Sequence, residues 1–324
     1  MFQTLRALDA ATGGKIVLRY GDPVEEVAQM AKEVGARSVH VASDFAPYGQ
    51  ARDRAVREAL KQVDAALVES DSPYCVNPGI VLKDDGTPLK VFTPFYRRWS
   101  LVDFTSAVET RVSYADAVSH CQGYPDIDSS SLNLPDAGEE AAWRRWEEWS
   151  PRLEAYQEER NNPGVDGTSM MSPYLRFGVV HPRQLIARLN GTSGADHYRR
   201  ELAWREFYAD VLFHQPRTMW ENLQEKMNVL PRDTDAAAHA RFEKFCAAQT
   251  GYPIVDAGIR RTARVEARAQ QPQQHLSRAA HQNGAPHRGL DQHLLELVKR
   301  KKRLADCVRQ PFCSTTIQDV YLIY

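Results

Sequence analysis

Residues 1–100 alternate short β-prone runs with amphipathic segments, and this alternation restricts the fold of the 324-residue chain more than any other feature. The β-prone runs are 15–20, 38–42 and a segment that begins at residue 65. Segments with apolar residues at helical spacing occupy 24–34 and 51–63. Parallel strands need crossover helices of this kind. The sequence therefore predicts an α/β N-terminal domain with a Rossmann-like parallel sheet.

The predicted sheet is expected to be incomplete. The chain opens on a helix-like segment from Leu5 to Leu8 rather than on a strand. A doubly wound domain is built from repeated strand–helix units and normally starts on a strand. We therefore expect the first strand of this domain to be missing.

A tryptophan stripe marks the change to a helical region. Trp143, Trp146, Trp149 and Leu153 recur at three- and four-residue steps, a spacing typical of the packing face of a helix. The preceding residues 116–140 are rich in Ser, Asp and Pro, as linkers are. Residues 262–311 contain no Phe, Trp or Tyr and offer little large apolar surface for a core. The predicted parts are an α/β domain over 1–115, a linker over 116–140, a helical domain over 141–261 and a poorly packed tail over 262–324.

Charge and cysteine content limit the class of protein. The formal net charge is -1, so binding to nucleic acid would require a local basic face. The five cysteines have no paired spacing, which predicts neither a disulfide framework nor a metal site and suits a reducing cytoplasm. No apolar run is long enough for a membrane span. We therefore expect a cytoplasmic protein that does not associate with membranes.

Small hydroxyl residues cluster just before a predicted helix at residues 167–178. Thr168, Ser169 and Ser172 supply hydroxyl groups, and the following residues read Pro-Tyr-Leu-Arg-Phe-Gly. Hydroxyls and N–H groups at the start of a helix are common ligands of a pyrophosphate. For the hydroxyl residues alone, an ordinary Ser/Thr helix cap is the alternative interpretation.

A second cluster lies on a predicted helix. Glu201, Trp204, Arg205 and Tyr208 are spaced at i, i+3, i+4 and i+7 and are expected to share one helix face. Such a face offers a carboxylate for a base edge, an indole for stacking and a guanidinium for a phosphate or flavin. The alternative is a buried tryptophan beside a Glu201–Arg205 ion pair.

These segments resemble the DNA photolyase/cryptochrome family, in particular its bacterial class I cyclobutane pyrimidine dimer branch. Segment 167–178 is similar to the family's flavin-phosphate segment, with Met170 and Met171 in place of the usual Arg-Leu. Segment 201–208 is similar to the helix that holds damaged bases, and 250–258 to a segment beside the flavin. Segments 44–49 and 90–96 resemble the N-terminal antenna domain. The resemblance ends after Arg261, where the family's Gly-Trp-x-His-Asn-Arg and Asp-x-Asp motifs do not follow.

The resemblance implies an all-α, incomplete FAD-binding domain and light-driven repair of cyclobutane pyrimidine dimers by a carbon–carbon lyase. The implied partner is damaged DNA, the implied state is a monomer, and an antenna chromophore (folate or deazaflavin) is implied in the N-terminal domain. Glu201 and Trp204 are the implied catalytic residues, and together with Arg205 and Tyr208 they form the implied DNA contacts. The implied FAD-binding residues are Tyr156, Thr168, Ser169, Met170, Met171, Ser172, Tyr198 and Arg205.

Two alternatives to a working photolyase stay open at this point. One is an inactive remnant without stable flavin, because half of the family's flavin pocket comes from C-terminal helices. The other is a cryptochrome-like photoreceptor without catalysis. The absence of tryptophan after Trp220 counts against this second alternative, because photoreduction in the family usually runs through C-terminal tryptophans.

Overall fold

The computed structural model of the chain describes residues 1–104, 112–115, 121–125, 134–231 and 233–260. The predicted tail at 262–324 lies outside the described residues, as do residues 116–120 and 126–133 of the predicted linker. The chain divides into two compact units. Among the described residues, one unit contains Met1–Tyr124 and 135–228, and the other contains Pro125, Leu134 and the residues from Val229 to 260. The division into four parts that the sequence suggested remains a prediction.

The first unit contains a small parallel sheet on which helices pack. Strand β1 (Ser38–Val41) pairs with β2 (Ala66–Glu69) in parallel, with Val39 opposite Leu67. Helices α2 (Pro23–Val34) and α3 (Pro47–Lys61) pack on these strands around a core that includes Val27 and Val56. The elements of this region are α1 (Phe2–Ala11), α2 (Pro23–Val34), β1 (Ser38–Val41), α3 (Pro47–Lys61), β2 (Ala66–Glu69) and α4 (Phe92–Trp99). A parallel α/β arrangement followed by helices, as predicted, is confirmed.

Local sequence accounts for the bounds of α2. The Asp22 carboxylate accepts a hydrogen bond from the Val24 N–H at 2.8 Å, and Pro23 occupies the first turn. Gly35 ends the helix in the left-handed region at a φ of 65°. These are the strongest start and stop signals that a helix carries.

The prediction of a strand at 15–20 is wrong. These residues lie outside the described sheet and run beside a segment that is distant in sequence. The carbonyl of Leu18 accepts from the Gln122 N–H at 2.8 Å. Ile16 and Leu18 are buried against Leu5 of α1. The apolar alternation therefore reflects burial against a helix, which local sequence does not distinguish from burial in a sheet.

The helical region begins with α5 (Glu139–Trp149), where the tryptophan stripe forms a packing face as predicted. Trp146 and Trp149 are buried in one core, and Trp143 packs at its margin. The helices that follow are α6 (Tyr156–Glu159), α7 (Ser172–Arg176), α8 (Pro182–Ile186) and α9 (Ser193–His214), after α5 (Glu139–Trp149) and a 3-10 helix at Ser150–Ala155. Helix α9 contributes Tyr198 and Leu202 to this core and Ala203 and Phe207 to a second core shared with α4.

The second unit includes α10 (Ala236–Cys246) and helical residues 253–260. Asp235 caps α10 through the Ala238 N–H at 2.6 Å. The turn before residues 253–260 is held by Asp256, whose carboxylate accepts from the Thr250 N–H at 2.8 Å and from the Gly251 N–H at 3.2 Å. Across the described parts of both units, no helix combines the length and apolarity that crossing a bilayer requires.

Candidate functional site

The segment before α7 turns alternate residues inward and outward. Ser169 and Met171 are buried, at 6% and 1% exposure, whereas Thr168, Met170 and Ser172 are exposed. Met170 adopts a φ of 56°, which is unusual for a residue other than glycine. The predicted set of phosphate ligands therefore divides into exposed residues and residues that belong to the core beneath them.

Two arginines brace this segment from the helices behind it. Arg145 of α5 donates to the carbonyls of Ser169 at 3.2 Å and of Thr168 at 3.1 Å. Arg152 donates to the carbonyl of Asp166 at 2.8 Å. A Cβ added at Gly167 would lie 2.7 Å from the carbonyl oxygen of Glu159, so only glycine allows this close approach. These contacts fix the backbone conformation of residues 166–169, which the sequence alone does not predict.

The buried half of the segment joins it to α9. The hydroxyls of Ser169 and Tyr198 are hydrogen-bonded at 2.9 Å. The Tyr198 ring lies 5.3 Å from the rings of Tyr156 and Trp149, measured between centroids. Burial raises the pKa of the Tyr198 and Tyr156 phenols, so both remain neutral donors. The structure thus brings together three residues that the sequence singled out, Tyr156, Ser169 and Tyr198.

Glu201 lies one turn further along α9 and forms an ion pair with Arg160, which the sequence interpretation did not include. The Arg160 guanidinium also lies over the Tyr156 ring, 5.4 Å from its centroid. The hydrogen bond to Glu201 raises the pKa of Arg160 and keeps it charged. The Glu201–Arg205 pair considered as an alternative is therefore not the arrangement of the folded protein. Arg160 could have been noticed, because it is four residues beyond Tyr156.

Trp204 lies in a different environment. Its indole stacks on the Phe92 ring of α4, with centroids 3.7 Å apart and planes inclined by 8°. Tyr208 lies next to Trp204 at 5.5 Å with an interplanar angle of 27°, and it is 64% exposed. These three rings form an aromatic stack that reaches the surface at Tyr208.

Arg205 points to a third environment. It donates to the carbonyl of Pro73 at 2.7 Å, and its guanidinium lies 4.8 Å from the centroid of the Tyr74 ring. The residues of the predicted α9 face thus lie in three environments. These are the Glu201–Arg160 ion pair, the aromatic stack of Phe92, Trp204 and Tyr208, and the site where residues 73–74 hold Arg205. Segment 250–258, also singled out by sequence, lies in the second unit.

The chemistry of these residues fits the phosphate end of a flavin nucleotide. The hydroxyl residues Thr168 and Ser172 are exposed beside the braced backbone, a donor set that phosphate oxygens prefer. In the core that contains Tyr156 and Tyr198, the buried indole N–H of Trp149 has no acceptor among the residues that the structure describes. An unpaired buried donor is a position that a polar ligand would satisfy.

Two family models match segments of this chain. Residues 1–111 match the family model for DNA photolyase, and residues 198–266 match the model for the FAD binding domain of DNA photolyase. A deoxyribodipyrimidine photo-lyase from Streptomyces griseus is 33% identical over 272 residues. The match covers 80% of this chain and 58% of that relative, so the chain spans less than two thirds of its length.

Solved structures show the same fold. A class III photolyase from Agrobacterium tumefaciens superposes with a TM-score of 0.67 at 24% sequence identity, covering 80% of this chain and 58% of that protein. A cryptochrome from Synechocystis gives the same TM-score and the same coverage at 21% identity.

Proposed function

The chain belongs to the DNA photolyase/cryptochrome family, and we propose that it is a deoxyribodipyrimidine photolyase. In this proposal it binds FAD and uses light to split cyclobutane pyrimidine dimers in DNA. The observation that carries the proposal is the hydrogen bond between Ser169 and Tyr198, 2.9 Å long. It joins the segment proposed to bind the flavin phosphates to the helix that carries Glu201 and Trp204.

The chain's own residues would hold the cofactor by its phosphates. Thr168 and Ser172 would donate hydroxyl hydrogen bonds, while Ser169 and Met171 keep the segment seated in the core. Met170 would contribute through its backbone, because its side chain is exposed at a strained φ. Tyr156 and Tyr198 would line the cofactor as neutral phenols. Arg205, which Pro73 and Tyr74 hold in a separate environment, would have to leave these partners to secure the flavin or a phosphate. When bound, FAD supplies the light-driven electron transfer.

The lesion would be held by α9. An enzyme that acts on bases inside a duplex must extrude them, which is easier for damaged bases. Trp204 would stack on the extruded bases, and base–aromatic stacking contributes about 1–3 kcal/mol per base. Since Phe92 stacks on one face of the indole and Tyr208 also stacks with it, a base would have to use the part of the half-buried indole that these two rings leave exposed. Glu201 would accept hydrogen bonds from the base edge, with Arg160 holding its carboxylate in place.

The direct test is repair of an oligonucleotide that contains one thymine dimer. The full chain, loaded with FAD under reducing conditions, is illuminated with blue light, and the loss of dimer is followed by chromatography. A dark sample and an illuminated sample of Glu201→Gln serve as controls. We expect light-dependent loss of dimer with the unmodified protein and a slower rate with the variant.

The loss of dimer, together with the amount of flavin that the chain takes up during loading, separates the alternatives. Flavin uptake without repair would favour a cryptochrome-like photoreceptor, and failure to take up flavin would favour an inactive relative. The antenna chromophore implied by the resemblance would appear as a second absorbing species that copurifies with the protein. The monomeric state remains a prediction that light scattering would test.

A further inference from the structure

Glu206 is a buried carboxylate on α9 that has no part in the proposed function so far. It is 2% exposed. One of its oxygens accepts from the Cys75 N–H, and the other accepts from the Val76 N–H at 3.0 Å and from the Trp99 indole N–H at 2.6 Å. A buried charge without such donors would destabilise the fold strongly. Glu206 therefore ties α9 to two other elements of the first unit.

The first of these elements supports Trp204. Trp99 is the last residue of α4 and Phe92 is the first. Glu206 therefore holds one end of α4, while the other end stacks on Trp204. Phe207 packs edge-on against both rings of this stack, with its ring centroid 5.9 Å from that of Phe92 and 5.6 Å from that of Trp204.

The second element supports Arg205. Segment 73–76 supplies the carbonyl that Arg205 bonds, the tyrosine ring beneath its guanidinium, and two of the N–H groups that Glu206 accepts. Arg205 thus binds a carbonyl of this segment, and its neighbour Glu206 binds two of the segment's N–H groups. Together they fix the position of segment 73–76 relative to α9.

We propose that Glu206 is a positioning residue, whose carboxylate sets the stacking plane of Trp204 and the direction of Arg205 by fixing α4 and segment 73–76 against α9. The inference deepens the proposed function and rests on it for its meaning in DNA repair. A carboxylate is required because all three partners are donors. Glutamine would turn its NH₂ group toward at least one of these N–H groups.

The positioning role is tested without any ligand by fluorine NMR of the full chain labelled with 5-fluorotryptophan. The six tryptophan signals are assigned by single Trp→Phe substitutions. In Glu206→Gln, the Trp204 signal is expected to shift or broaden together with that of Trp99. Signals of Trp146 and Trp149, which lie in the other core, are expected to stay in place. An unchanged Trp204 signal would overturn the proposal.

Lesion binding gives the functional side of the test. We expect the Kd of Glu206→Gln for the dimer-containing oligonucleotide to rise about tenfold, which corresponds to about 1.4 kcal/mol. Asp210→Asn is the matched control, because Asp210 is a buried carboxylate of the same helix that accepts from the Gly79 N–H at 2.7 Å and lies 3.6 Å from the His214 ring nitrogen. Among the described residues it forms no hydrogen bond with α4 or with segment 73–76. An equal loss in both variants would contradict a role specific to Glu206.

Two further results keep the outcomes separate. If Glu206→Gln does not fold, Trp99→Phe removes one donor and leaves the carboxylate with its two backbone partners, and a smaller change of the Trp204 signal is expected. An unchanged signal in that variant would overturn the proposal. Unmodified protein that binds no dimer-containing DNA would defeat the proposed function, whereas the NMR comparison would still decide whether Glu206 positions Trp204.

Discussion

The indole of Trp204 lies parallel to the phenyl ring of Phe92, with the two centroids 3.7 Å apart. Phe92 begins α4, and Trp204 lies near the middle of α9. A residue singled out for lesion binding is therefore positioned by a residue more than one hundred positions earlier in the chain. The stack leaves the indole only partly covered and places Tyr208 beside it.

Replacing Trp204 with alanine is expected to weaken binding of the dimer-containing oligonucleotide by about 1–3 kcal/mol, the usual contribution of stacking a base on an aromatic ring. Fluorescence anisotropy measures the affinity. Trp143→Ala is the control, because Trp143 is a partly buried tryptophan that stacks with Arg188 at 3.9 Å. Equal losses in the two variants would mean that Trp204 has no special contact with DNA.

The Ser169–Tyr198 hydrogen bond is expected to couple the two residues in folding. We compare Ser169→Ala, Tyr198→Phe and the double variant by urea denaturation. A buried hydrogen bond of this kind contributes about 0.5–1.5 kcal/mol. The sum of the stability losses in the two single variants should therefore exceed the loss in the double variant by that amount. Additive effects would show that the two hydroxyls do not act together.

Stability is expected to fall as the pH drops below 6.5, the ordinary pKa of a histidine. Burial lowers the pKa of His181, whose ring donates to the Ser72 carbonyl and accepts from the Arg183 N–H at 3.2 Å. The unfolded chain therefore gains a proton at a higher pH than the folded protein does. The loss of stability levels off below the lowered pKa.

His181→Asn, which keeps an acceptor for the Arg183 N–H, should flatten this pH dependence. The measurement is the urea midpoint at several pH values above and below 6.5. His239→Asn is the control, since His239 is exposed on α10. If His181→Asn retains the full pH dependence, the account of His181 is wrong.

A methyl group at Gly194 is expected to destabilise the start of α9. A Cβ there would lie 2.0 Å from the carbonyl oxygen of Leu153 and 2.7 Å from the Cα of Glu154, which are backbone atoms that cannot turn aside. Gly194→Ala should therefore lower the free energy of unfolding by about 1–3 kcal/mol or more, despite the higher helix propensity of alanine. Gly191→Ala, which meets no atom within 4 Å, should have little effect in thermal unfolding. Similar melting temperatures for both variants would contradict the close approach.

Local signals predicted much of the fold. The segment expected at 24–34 is observed as Pro23–Val34, because its cap and its terminating glycine are adjacent to it in sequence. The strand expected at 15–20 is not observed, because these residues bond to a segment about one hundred positions later instead of joining the sheet. A periodic pattern identifies a buried side but not the element that buries it.

The same distinction applies to the site. Tyr156, Ser169 and Tyr198 were singled out by resemblance and are brought together in one core. Glu206 was missed, although it follows directly after the residues that were chosen. A glutamate on a helix is usually solvated, and the donors that justify its burial lie at sequence separations of 131, 130 and 107.

Binding of FAD to the purified full chain tests the central claim most directly. The absorption spectrum of the protein is recorded before and after incubation with FAD and removal of free cofactor, in parallel with a Ser169→Ala, Tyr198→Phe double variant. The account predicts flavin absorption near one FAD per chain for the unmodified protein and a marked loss in the variant. A colourless unmodified protein that retains no FAD would contradict the account.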